Sequence, residues 1–522
     1  MSIEDLKFYN PLPESYWMAS TEQTQYPSLD QDIKVDVVIV GGGMAGICTA
    51  YELSKENLKV ALLESGRIIE ATSGYTTAKV TSQHGLIYNK LIKQVGRELA
   101  QQYATANEEA ILKIKRIADE NGIDADYSPQ NAFIYTKEDQ YINQIEEEVE
   151  AASCLGIKAS FMEEIPLSFG VKAAVKFENQ AQFHPRRFLL PLAKIAEKKG
   201  VKIYEHTRAI ELLEENNKYT ITTLQGKKVT AQRVVIASHF PFYNKPGKYY
   251  ARIFTERSYV LGIHAKEKYP GGMYISAGGP GRSLRAQDTD NGELILVVGD
   301  NHKTGQGEDT LKHFEALLGF AKNNFTLIDV PYRWSTQDCV TLDGIPYVGH
   351  YSADTPNLYL ATGFGKWGMT NSIVSSEILR DLIIKGENPW QEIYNPSRKT
   401  LVHSAKNLIL QGVDFATELI GGKLSKTPKE VELELDQAQI IEVDDKRAGA
   451  YRDKSGKLHI VNTTCTHLGC ELNWNSAEKS WDCPCHGSRF DYEGKVIEGP
   501  ATQDLSFGED VNVFEKLFKE NF

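Results

Sequence analysis

Residues 35 to 64 read VDVVIVGGGMAGICTAYELSKENLKVALLE, and this stretch decides the fold of most of the chain. An apolar run typical of a buried parallel strand leads into a glycine-rich turn, a helical pattern, a second strand and a terminal acid. In such a unit the first glycine allows the tight turn, the second lets the backbone approach a pyrophosphate, and the third lets the helix pack closely. The stretch therefore predicts a βαβ unit that binds FAD or NAD. The residues expected to line the dinucleotide here are Gly41, Gly43, Met44, Ala45, Gly46, Glu64 and Ser65.

A second motif lies near the C-terminal end, where Cys465-Thr466-His467 is followed by Cys483-Pro484-Cys485-His486. Two thiolates and two imidazoles could hold a structural zinc ion, because zinc accepts both kinds of ligand. Zinc motifs, however, usually pair Cys with Cys and His with His, whereas each half of this motif supplies one of each. The alternation favours a two-iron cluster in which two cysteines bind one iron and two neutral histidines bind the other.

Residues 430 to 517 resemble the Rieske [2Fe–2S] domain, and the resemblance is carried by CTHLGC (465–470) and CPCHGS (483–488). It implies that the cluster is held by four ligands, Cys465, His467, Cys483 and His486. It also implies a disulfide, Cys470 to Cys485, which would link the two cluster loops. In a reducing compartment such a disulfide is unusual, so its oxidation state stays open.

One position departs from the high-potential members of the Rieske family. Those members carry a tyrosine two residues after the serine of CPCHGS, and its hydroxyl donates a hydrogen bond to a ligand sulfur. Here Ser488 is kept, but Phe490 occupies the tyrosine position. Because a lost donor disfavours the reduced cluster, the sequence predicts a lower reduction potential than that of respiratory complexes.

From Glu64 to about residue 390 the chain resembles the D-amino acid oxidase and glycine oxidase superfamily of flavoproteins. The resemblance is carried, in order, by ATSG (71–74), HPR (184–186), RVVIAS (233–238), DGIP (343–346) and LYLATGFGKWGMTNS (358–372). It implies that the dinucleotide is FAD, and that the amides of the last segment meet the flavin pyrimidine. Further FAD-contacting positions implied in this way are Thr72, Ala209, Ala237, Gly363, Gly368, Met369 and Thr370. The family pattern breaks at YTTAK (75–79), which bears on the substrate more than on the cofactor.

The chain has 522 residues, a net charge of −12 and 41% hydrophobic residues, as is typical of a globular protein. The negative charge argues against nucleic acid as a partner, since phosphate binding needs clustered Lys and Arg. The N-terminus lacks a signal-peptide pattern, and no apolar run approaches the about eighteen residues of a transmembrane segment. We therefore expect no transmembrane segment and a cytoplasmic location. Three cysteines outside the cluster motif, Cys48, Cys154 and Cys339, are expected to be packed core residues.

These patterns predict a fold class: an α/β FAD-binding Rossmann-like domain with an inserted mixed-sheet substrate domain, plus a C-terminal all-β Rieske domain. Within the inserted region, residues 85–155 show helical periodicity and residues 245–300 alternate like antiparallel strands. The predicted boundaries are 1–34 for an N-terminal arm packed on the flavin domain, 35–395 for the FAD-dependent oxidoreductase, 396–429 for a helical linker and 430–517 for the Rieske domain.

A flavin that takes an electron pair and a cluster that takes single electrons are chemically complementary. We therefore expect a dehydrogenase that oxidises a small amine or amino-acid-like substrate and passes electrons through the cluster to a soluble acceptor. Two alternatives remain: an NAD(P)H-fed reductase that delivers electrons to a partner protein, and a flavin and iron–sulfur redox sensor. A Rieske oxygenase is excluded, because its mononuclear iron needs two histidines and a carboxylate, and none of the twelve histidines forms a pair four or five residues apart.

The sequence does not identify a catalytic base. His84 and His239 lie near predicted flavin loops, yet each fits equally well as an ordinary packed histidine. Arg285 lies where some members of the resembling superfamily bind a substrate carboxylate, but a lone arginine is more often a solvated residue at a strand edge.

Overall fold

The computed structural model describes residues 13–307, 309–398, 433–443 and 446–505, and residue 418 by itself. The chain divides into two compact units. The first comprises Met1–Lys248, Arg257–Asn301 and His313–Ala405, and the second comprises Tyr249–Glu256, His302–Lys312 and Lys406–Phe522. The linker predicted at 396–429 lies outside the described residues apart from its first three positions and residue 418, as do residues 1–12 of the arm and 506–517 of the Rieske domain.

The strands of the described residues are β1 Ile33–Val40, β2 Val60–Leu63, β3 Lys79–Val80, β4 Ser128–Thr136, β5 Ala159–Met162, β6 Ala173–Gln182, β7 Lys202–Tyr204, β8 Ala209–Glu215, β9 Lys218–Thr223, β10 Lys228–Ile236, β11 Ile253–Ala265, β12 Met273–Ser276, β13 Arg282–Thr289, β14 Gly292–Lys303, β15 Leu327–Thr341, β16 Tyr347–His350, β17 Leu358–Thr362, β18 Gln437–Val443, β19 Lys446–Arg452, β20 Leu458–Asn462, β21 Asn473–Asn475, β22 Ser480–Asp482, β23 Arg489–Asp491 and β24 Val496–Glu498. The helices are α1 Tyr16–Ala19, α2 Met44–Leu53, α3 Tyr88–Val95, α4 Arg97–Asn121, α5 Ile142–Cys154, α6 Pro185–Lys198, α7 Leu311–Asn324, α8 Gly368–Ile384 and α9 Gln391–Tyr394.

The first unit is built on an eight-stranded sheet with the order β16-β17-β10-β1-β2-β7. The strands from β17 to β7 pair in parallel, and β8 and β9 extend the sheet through an antiparallel pairing of β9 with the first half of β10. All ten residues of α2 are buried, as expected for a helix enclosed between a parallel sheet and other helices. The predicted βαβ unit is thus present as β1, α2 and β2.

A buried ion cluster joins three helices of this unit. The Lys113 ammonium of α4 lies 2.8 Å from Glu52 of α2 and 2.7 Å from Glu377 of α8. Burial opposes the ionised form of Glu52, but Lys113 and Lys55 outweigh it and hold the pKa of Glu52 below its usual value. A charge buried in this way is tolerated because it is paired, so removing Lys113 would leave Glu377 without this cation and Glu52 with Lys55 alone.

A nine-stranded mixed sheet has the order β15-β11-β14-β13-β12-β4-β6-β3, with β5 paired to β6. The region 245–300 forms antiparallel strands as predicted, apart from the parallel pairing of β12 with β4. The region 85–155 is helical except that β4 interrupts it, because its last five residues, AFIYT, are buried in sequence and do not follow a helical period. In the N-terminal arm, the indole of Trp17 is fully buried and donates to the carbonyl of Thr76, which ties the arm to this unit.

The second unit holds two small antiparallel sheets, β18-β19-β20 and β21-β22-β23-β24. Their packing is tightest at Gly449 of β19, where a Cβ would lie 2.4 Å from the indole of Trp481 of β22. Beside it the buried guanidinium of Arg489 contacts the carboxylates of Asp482, Glu478 and Glu498. Among the described residues, no helix combines the length and the apolar character that crossing a bilayer would require.

Candidate dinucleotide and cluster sites

The predicted dinucleotide residues converge at one edge of the eight-stranded sheet. Val40, Leu63 and Ile236 end β1, β2 and β10 in register, so Gly41, Glu64 and Ala237 follow at the same edge. The amide of Gly41 donates to the carbonyl of Leu63 at 2.9 Å, and the amide of Ala237 donates to the carbonyl of Val40 at 2.8 Å. Ligands of open α/β sheets bind in the crevice outside such carboxyl ends.

Two glycines show how little room this edge leaves for side chains. A Cβ on Gly46 would lie 1.9 Å from the carbonyl oxygen of Gly41, and one on Gly41 would lie 2.3 Å from the carbonyl oxygen of Ala237. Gly41 also has φ of 111°, which favours glycine. The loop therefore keeps bare backbone at the start of α2, where Gly43 is the N-cap and has no side chain to cap the helix itself. These features fit a pyrophosphate bound by amides at a helix N-terminus.

The acid at the end of β2 holds the glycine loop. Glu64 Oε2 accepts from the amide of Gly42 at 2.7 Å, while Oε1 accepts from the amide of Gly66 and the hydroxyl of Ser65, both at 2.9 Å. A carboxylate offers about four acceptor positions, so Glu64 retains capacity for the hydroxyls of a ribose.

The other FAD positions predicted in the first half of the chain also lie in this unit. Thr72 donates through its hydroxyl to the carbonyl of Gln337 at 3.2 Å, and its neighbour Ser73 accepts from the amide of Met44, at the start of α2, at 2.9 Å. Ala209 is the buried first residue of β8. The segment 71–74 therefore contacts the predicted phosphate site directly, a contact that the glycine spacing alone does not reveal.

The last predicted FAD segment joins β17 to α8. Gly363 follows β17 with φ of 74°, and a Cβ there would lie 2.3 Å from Cγ2 of Thr341. Gly368, Met369 and Thr370 form the first turn of α8, whose N-cap residue, Trp367, makes no side-chain capping bond in the described chain. The free amides of such a turn suit a site where negative charge develops.

His84 contacts this turn as a fixed structural residue. Its Nε2 lies 2.8 Å from the carbonyl of Thr81 and 3.1 Å from Oγ1 of Thr370, and its Nδ1 lies 2.6 Å from the Tyr103 hydroxyl. A carbonyl only accepts, so Nε2 carries the proton and Nδ1 accepts from Tyr103. The imidazole also stacks on Trp367 at 4.9 Å. Burial lowers the pKa of His84 to about 3, so the ring is neutral and both nitrogens are engaged.

His239 and Arg285 have surroundings that the sequence does not predict. His239, just after β10, has a buried Nε2 that no described residue hydrogen-bonds. Arg285 is neither a solvated edge residue nor an open anion site, because it is fully buried and donates to the carbonyls of Thr77 and Ala78, each at 3.1 Å. Burial lowers the pKa of Arg285 to about 9, and burial followed by repulsion from Arg285 lowers the pKa of Lys79 to about 7.

The candidate cluster ligands come together in the second unit. Cys465 and Cys483 are buried free thiols, and the Cys483 thiol donates to the Cys465 sulfur. That bond and the amides of His467 and Leu468 outweigh burial and lower the pKa of Cys465 to about 7. The rings of His467 and His486 lie 5.0 Å apart at 89°. Burial lowers the pKa of His467 to about 4 and that of His486 to about 3, so both rings are neutral, as metal ligation requires.

The predicted disulfide is present between Cys470 and Cys485. The sulfurs of these two residues and of Cys483 lie within 4.8 Å of one another, but two of the three are consumed in the disulfide. This leaves Cys465 and Cys483 as the two thiols available beside the paired imidazoles. One cysteine and one histidine from each loop fit a Rieske centre better than a zinc site.

Ser488 contacts one of the candidate ligand cysteines, and Phe490 lies in the same core. The Ser488 hydroxyl hydrogen-bonds the Cys465 sulfur and accepts from the amide of Ala501 at 3.0 Å. Phe490 is fully buried in the core that contains both ligand cysteines, and its ring brings no donor to them.

Comparison with known proteins identifies both regions. Residues 36–382 match the family model described as FAD dependent oxidoreductase. The chain belongs to this family. Residues 425–515 match the Rieske [2Fe-2S] domain. The chain is 42% identical over 499 residues to YhfW of Bacillus subtilis (strain 168), whose name describes a Rieske 2Fe-2S iron-sulfur protein, with coverage of 95% of this chain and 98% of YhfW.

Solved structures of flavoproteins resemble the oxidoreductase part. Glycine oxidase from Geobacillus kaustophilus superimposes with a TM-score of 0.57 at 18% identity, covering 70% of this chain and 99% of that one. L-proline dehydrogenase from P. horikoshii does so with 0.58 at 20% identity, covering 70% and 98%. These likenesses show the fold. The predicted fold class, the oxidoreductase class and both cofactors, FAD and a Rieske [2Fe–2S] cluster, are thereby confirmed. The individual site residues and the domain boundaries stay predictions.

Replacing Gly46 with alanine should weaken FAD binding, because the added methyl group cannot fit beside the Gly41 carbonyl. Overpacking costs about 1–3 kcal/mol, and 1.4 kcal/mol corresponds to tenfold in affinity, so we expect roughly tenfold weaker FAD binding. Titration of the apoprotein with FAD measures this. Gly319→Ala in α7 is the matched control, since a Cβ there meets nothing within 4 Å. Equal affinity in both variants would contradict the glycine loop as the binding site.

The buried neutral His84 should make the oxidoreductase domain acid-sensitive. Its folded pKa of about 3 is below the ordinary value of 6.5, so acid protonates only the unfolded state and stability falls as pH drops below 6.5. Between pH 7.5 and 5.5 the wild type should lose about 1.4 kcal/mol more than His84→Gln. Urea unfolding followed by the fluorescence of released FAD measures the difference, and parallel losses would show that His84 is not buried neutral.

Introducing a donor at Phe490 should raise the cluster potential. A hydrogen bond to a charged group is worth about 1.5–3 kcal/mol. The lower end of this range is about a tenfold change in the equilibrium constant for reduction, which corresponds to 59 mV for one electron. Phe490→Tyr should therefore shift the midpoint potential by roughly +60 mV. Phe490→Leu adds no donor and should leave the midpoint near that of the wild type. EPR-monitored redox titration of the full chain provides the values. A wild-type midpoint potential at the top of the Rieske range, about +300 mV, would contradict the prediction that this cluster has a low reduction potential.

Proposed function

We propose that this chain is an FAD-dependent dehydrogenase that oxidises a small amine or amino-acid-like substrate and passes electrons through its Rieske cluster to a soluble acceptor. FAD supplies two-electron oxidation and the cluster supplies one-electron transfer. The observation that carries the proposal is the presence of both cofactors in one polypeptide of the FAD dependent oxidoreductase family. The names of the similar structures, glycine oxidase and L-proline dehydrogenase, support an amino-acid-like substrate.

On this proposal the chain holds FAD along the C-terminal edge of its parallel strands. The amides at the start of α2 bind the pyrophosphate and Glu64 binds the adenosine ribose. The first turn of α8 meets the pyrimidine end with its amides, and His84 holds that turn in place through Thr370. Among the remaining predicted contacts, Ser65 and Ala237 follow β2 and β10 at the same edge. Thr72 precedes Ser73, which contacts the start of α2, and Ala209 begins β8.

The cluster would be held by Cys465, His467, Cys483 and His486, with the Cys470–Cys485 disulfide fixing the separation of their loops. Buried neutral imidazoles and hydrogen-bonded thiols are prepared to bind metal without further proton loss from the histidines.

No protein residue serves as a strong base in this proposal. His84 is neutral and both of its nitrogens are engaged, while Arg285 spends its donors on carbonyls. Substrate amines would therefore react in their deprotonated form. The NAD(P)H-fed alternative gains no support from Gly278-Gly279-Pro280-Gly281, because this segment joins the antiparallel strands β12 and β13 and no helix follows it.

A cluster-deficient variant tests the proposal. Amines and amino acids are screened anaerobically for bleaching of flavin absorbance and appearance of the cluster EPR signal. A substrate found in this way should reduce the flavin of Cys465→Ser as fast as that of the wild type. Electron delivery from that variant to cytochrome c, used as the acceptor, should be lost, because the flavin retains no outlet through the cluster.

Cys154→Ser is the matched control. The prediction that Cys154 is a packed core residue is wrong, because its thiol is exposed at the end of α5, and it has no place in either proposed site. Equal rates of cytochrome c reduction by Cys465→Ser and Cys154→Ser would exclude internal transfer. If the cofactors can be reduced but the protein shows no steady-state turnover with any of the amines and amino acids screened, the sensor alternative would be favoured instead.

A further inference from the structure

Residues 75–78, which we call the connecting segment, lie outside any helix or strand of the first unit. Just before the segment, Ser73 accepts from the amide of Met44 at the start of α2, where the pyrophosphate of FAD would bind. Just after it, the carbonyl of Thr81 accepts at 3.1 Å from the hydroxyl of Thr370, in the turn of α8 that would meet the pyrimidine end. The connecting segment therefore runs between the places proposed for the two ends of the flavin half of FAD.

Two buried indoles bind consecutive carbonyls of the connecting segment. Trp334 of β15 donates through Nε1 to the carbonyl of Tyr75 at 2.8 Å. Trp17 of α1 donates through Nε1 to the carbonyl of Thr76 at 2.6 Å. Both tryptophan side chains are fully buried, and a hydrogen bond shielded from water is electrostatically stronger than an exposed one. The two peptide groups are therefore held firmly by side chains that are distant in sequence.

A buried guanidinium holds the next two carbonyls. Arg285 of β13 donates to the carbonyls of Thr77 and Ala78, each at 3.1 Å. Ala78 has φ of 55°, in the left-handed region that disfavours residues with a Cβ. Such a conformation persists where the surrounding structure fixes it. All four carbonyls of the connecting segment thus accept hydrogen bonds from side chains of three separate elements.

The amides of Thr76 and Thr77 have no hydrogen-bond partner among the described residues, whereas the amides on either side of them do. The Tyr75 amide donates to the carbonyl of Thr72 at 3.2 Å, and the Ala78 amide donates to Oγ1 of Thr76 at 3.0 Å. The two free amides belong to the same peptide groups whose carbonyls the indoles bind. Both peptide groups are trans, so each N–H points away from its own C=O. Each indole therefore directs one free amide to the opposite side of the segment.

We propose that Trp17 and Trp334 are positioning residues that turn these two amides toward bound FAD. The amides of Thr76 and Thr77 then donate to the edge of the flavin that gains negative charge on reduction. This inference rests on the placement of FAD in the proposed function. A hydride from the substrate brings two electrons and one proton, and it leaves the reduced flavin with one negative charge. Fixed amide donors stabilise that charge more than they stabilise the neutral oxidised ring.

The N-terminal arm takes part in the flavin site through Trp17. This residue precedes the sequence that matches the FAD dependent oxidoreductase family, residues 36–382. A second contact of the arm lies beside it, because the Ser15 hydroxyl donates to the carbonyl of Gly74 at 2.6 Å. Residues before the matched sequence thus help to fix the backbone that the flavin would meet.

Trp17→Phe and Trp334→Phe test the inference, because each variant keeps an aromatic ring and removes the N–H donor. Each should lower the equilibrium constant for two-electron reduction of bound FAD about tenfold, the lower end of what a hydrogen bond to a charged group contributes. Tenfold corresponds to about 30 mV for two electrons, so the flavin midpoint potential should fall by about 30 mV. Anaerobic redox titration of the full chain with both cofactors bound and no substrate, followed by flavin absorbance, measures this shift.

Trp390→Phe is the matched control. Trp390 packs partly buried against the core of the same unit, and its indole nitrogen hydrogen-bonds no described residue. This variant should keep the wild-type flavin potential. A purely structural role of Trp17 and Trp334 would weaken the binding of oxidised and reduced FAD equally, and equal losses of affinity leave the midpoint potential unchanged.

The outcomes separate this inference from the proposed function. A Trp17→Phe or Trp334→Phe variant that holds FAD and has the potential of Trp390→Phe would overturn the role of that indole. Either variant provides this result if the other fails to fold. A wild type that turns over no amine or amino acid would overturn the proposed function, and the potentials, which are measured without substrate, would still decide the role of the indoles.

Discussion

The structure depends on a backbone crossing that admits no side chain. Where the chain leaves β1 and turns into α2, the carbonyl of Gly41 lies against Gly46, and Gly41 itself lies against the carbonyl of Ala237. The crossing brings β1, α2 and the end of β10 into direct contact. It leaves amides rather than side chains at the edge of the sheet. A site for a doubly charged phosphate linker is thus a by-product of close packing, and the acid after β2 completes it by holding the same loop.

The second unit is small, and it too uses glycines where two parts of the chain approach closely. A small domain buries little apolar surface, so its stability relies on cross-links and paired charges. Here these are the Cys470–Cys485 disulfide and the Arg489 guanidinium among three carboxylates. Close approach again takes place at glycines, at Gly449 beneath Trp481 and at Gly487 beside Thr255. The cluster loops are therefore positioned from several directions by contacts within the protein.

Local patterns carried most of the information that sequence reasoning could use. The strand–glycine–helix–strand–acid order of residues 35–64 predicts its own fold, because each residue type answers a constraint within thirty positions. The alternating cysteines and histidines do the same for the cluster loops. What the sequence could not reveal were contacts between distant positions. The sequence favours a surface position for Arg285, whereas in the structure it is buried and donates to the carbonyls of Thr77 and Ala78. The sequence leaves His84 as a possible base, whereas in the structure Tyr103 and Thr81 hydrogen-bond both of its nitrogens.

The participation of mid-chain segments in the cluster-bearing unit alters what counts as a module. A Rieske sequence excised at its family boundaries would lack Thr255, Gly305 and Thr310, and the backbone around Pro484 would meet water where it now meets protein. Fusing this Rieske domain to another flavoprotein would thus require that the segments Tyr249–Glu256 and His302–Lys312 be transferred with it. Conversely, homologues that lack the Rieske domain should show greater sequence variation in these two segments, because the segments no longer contact it.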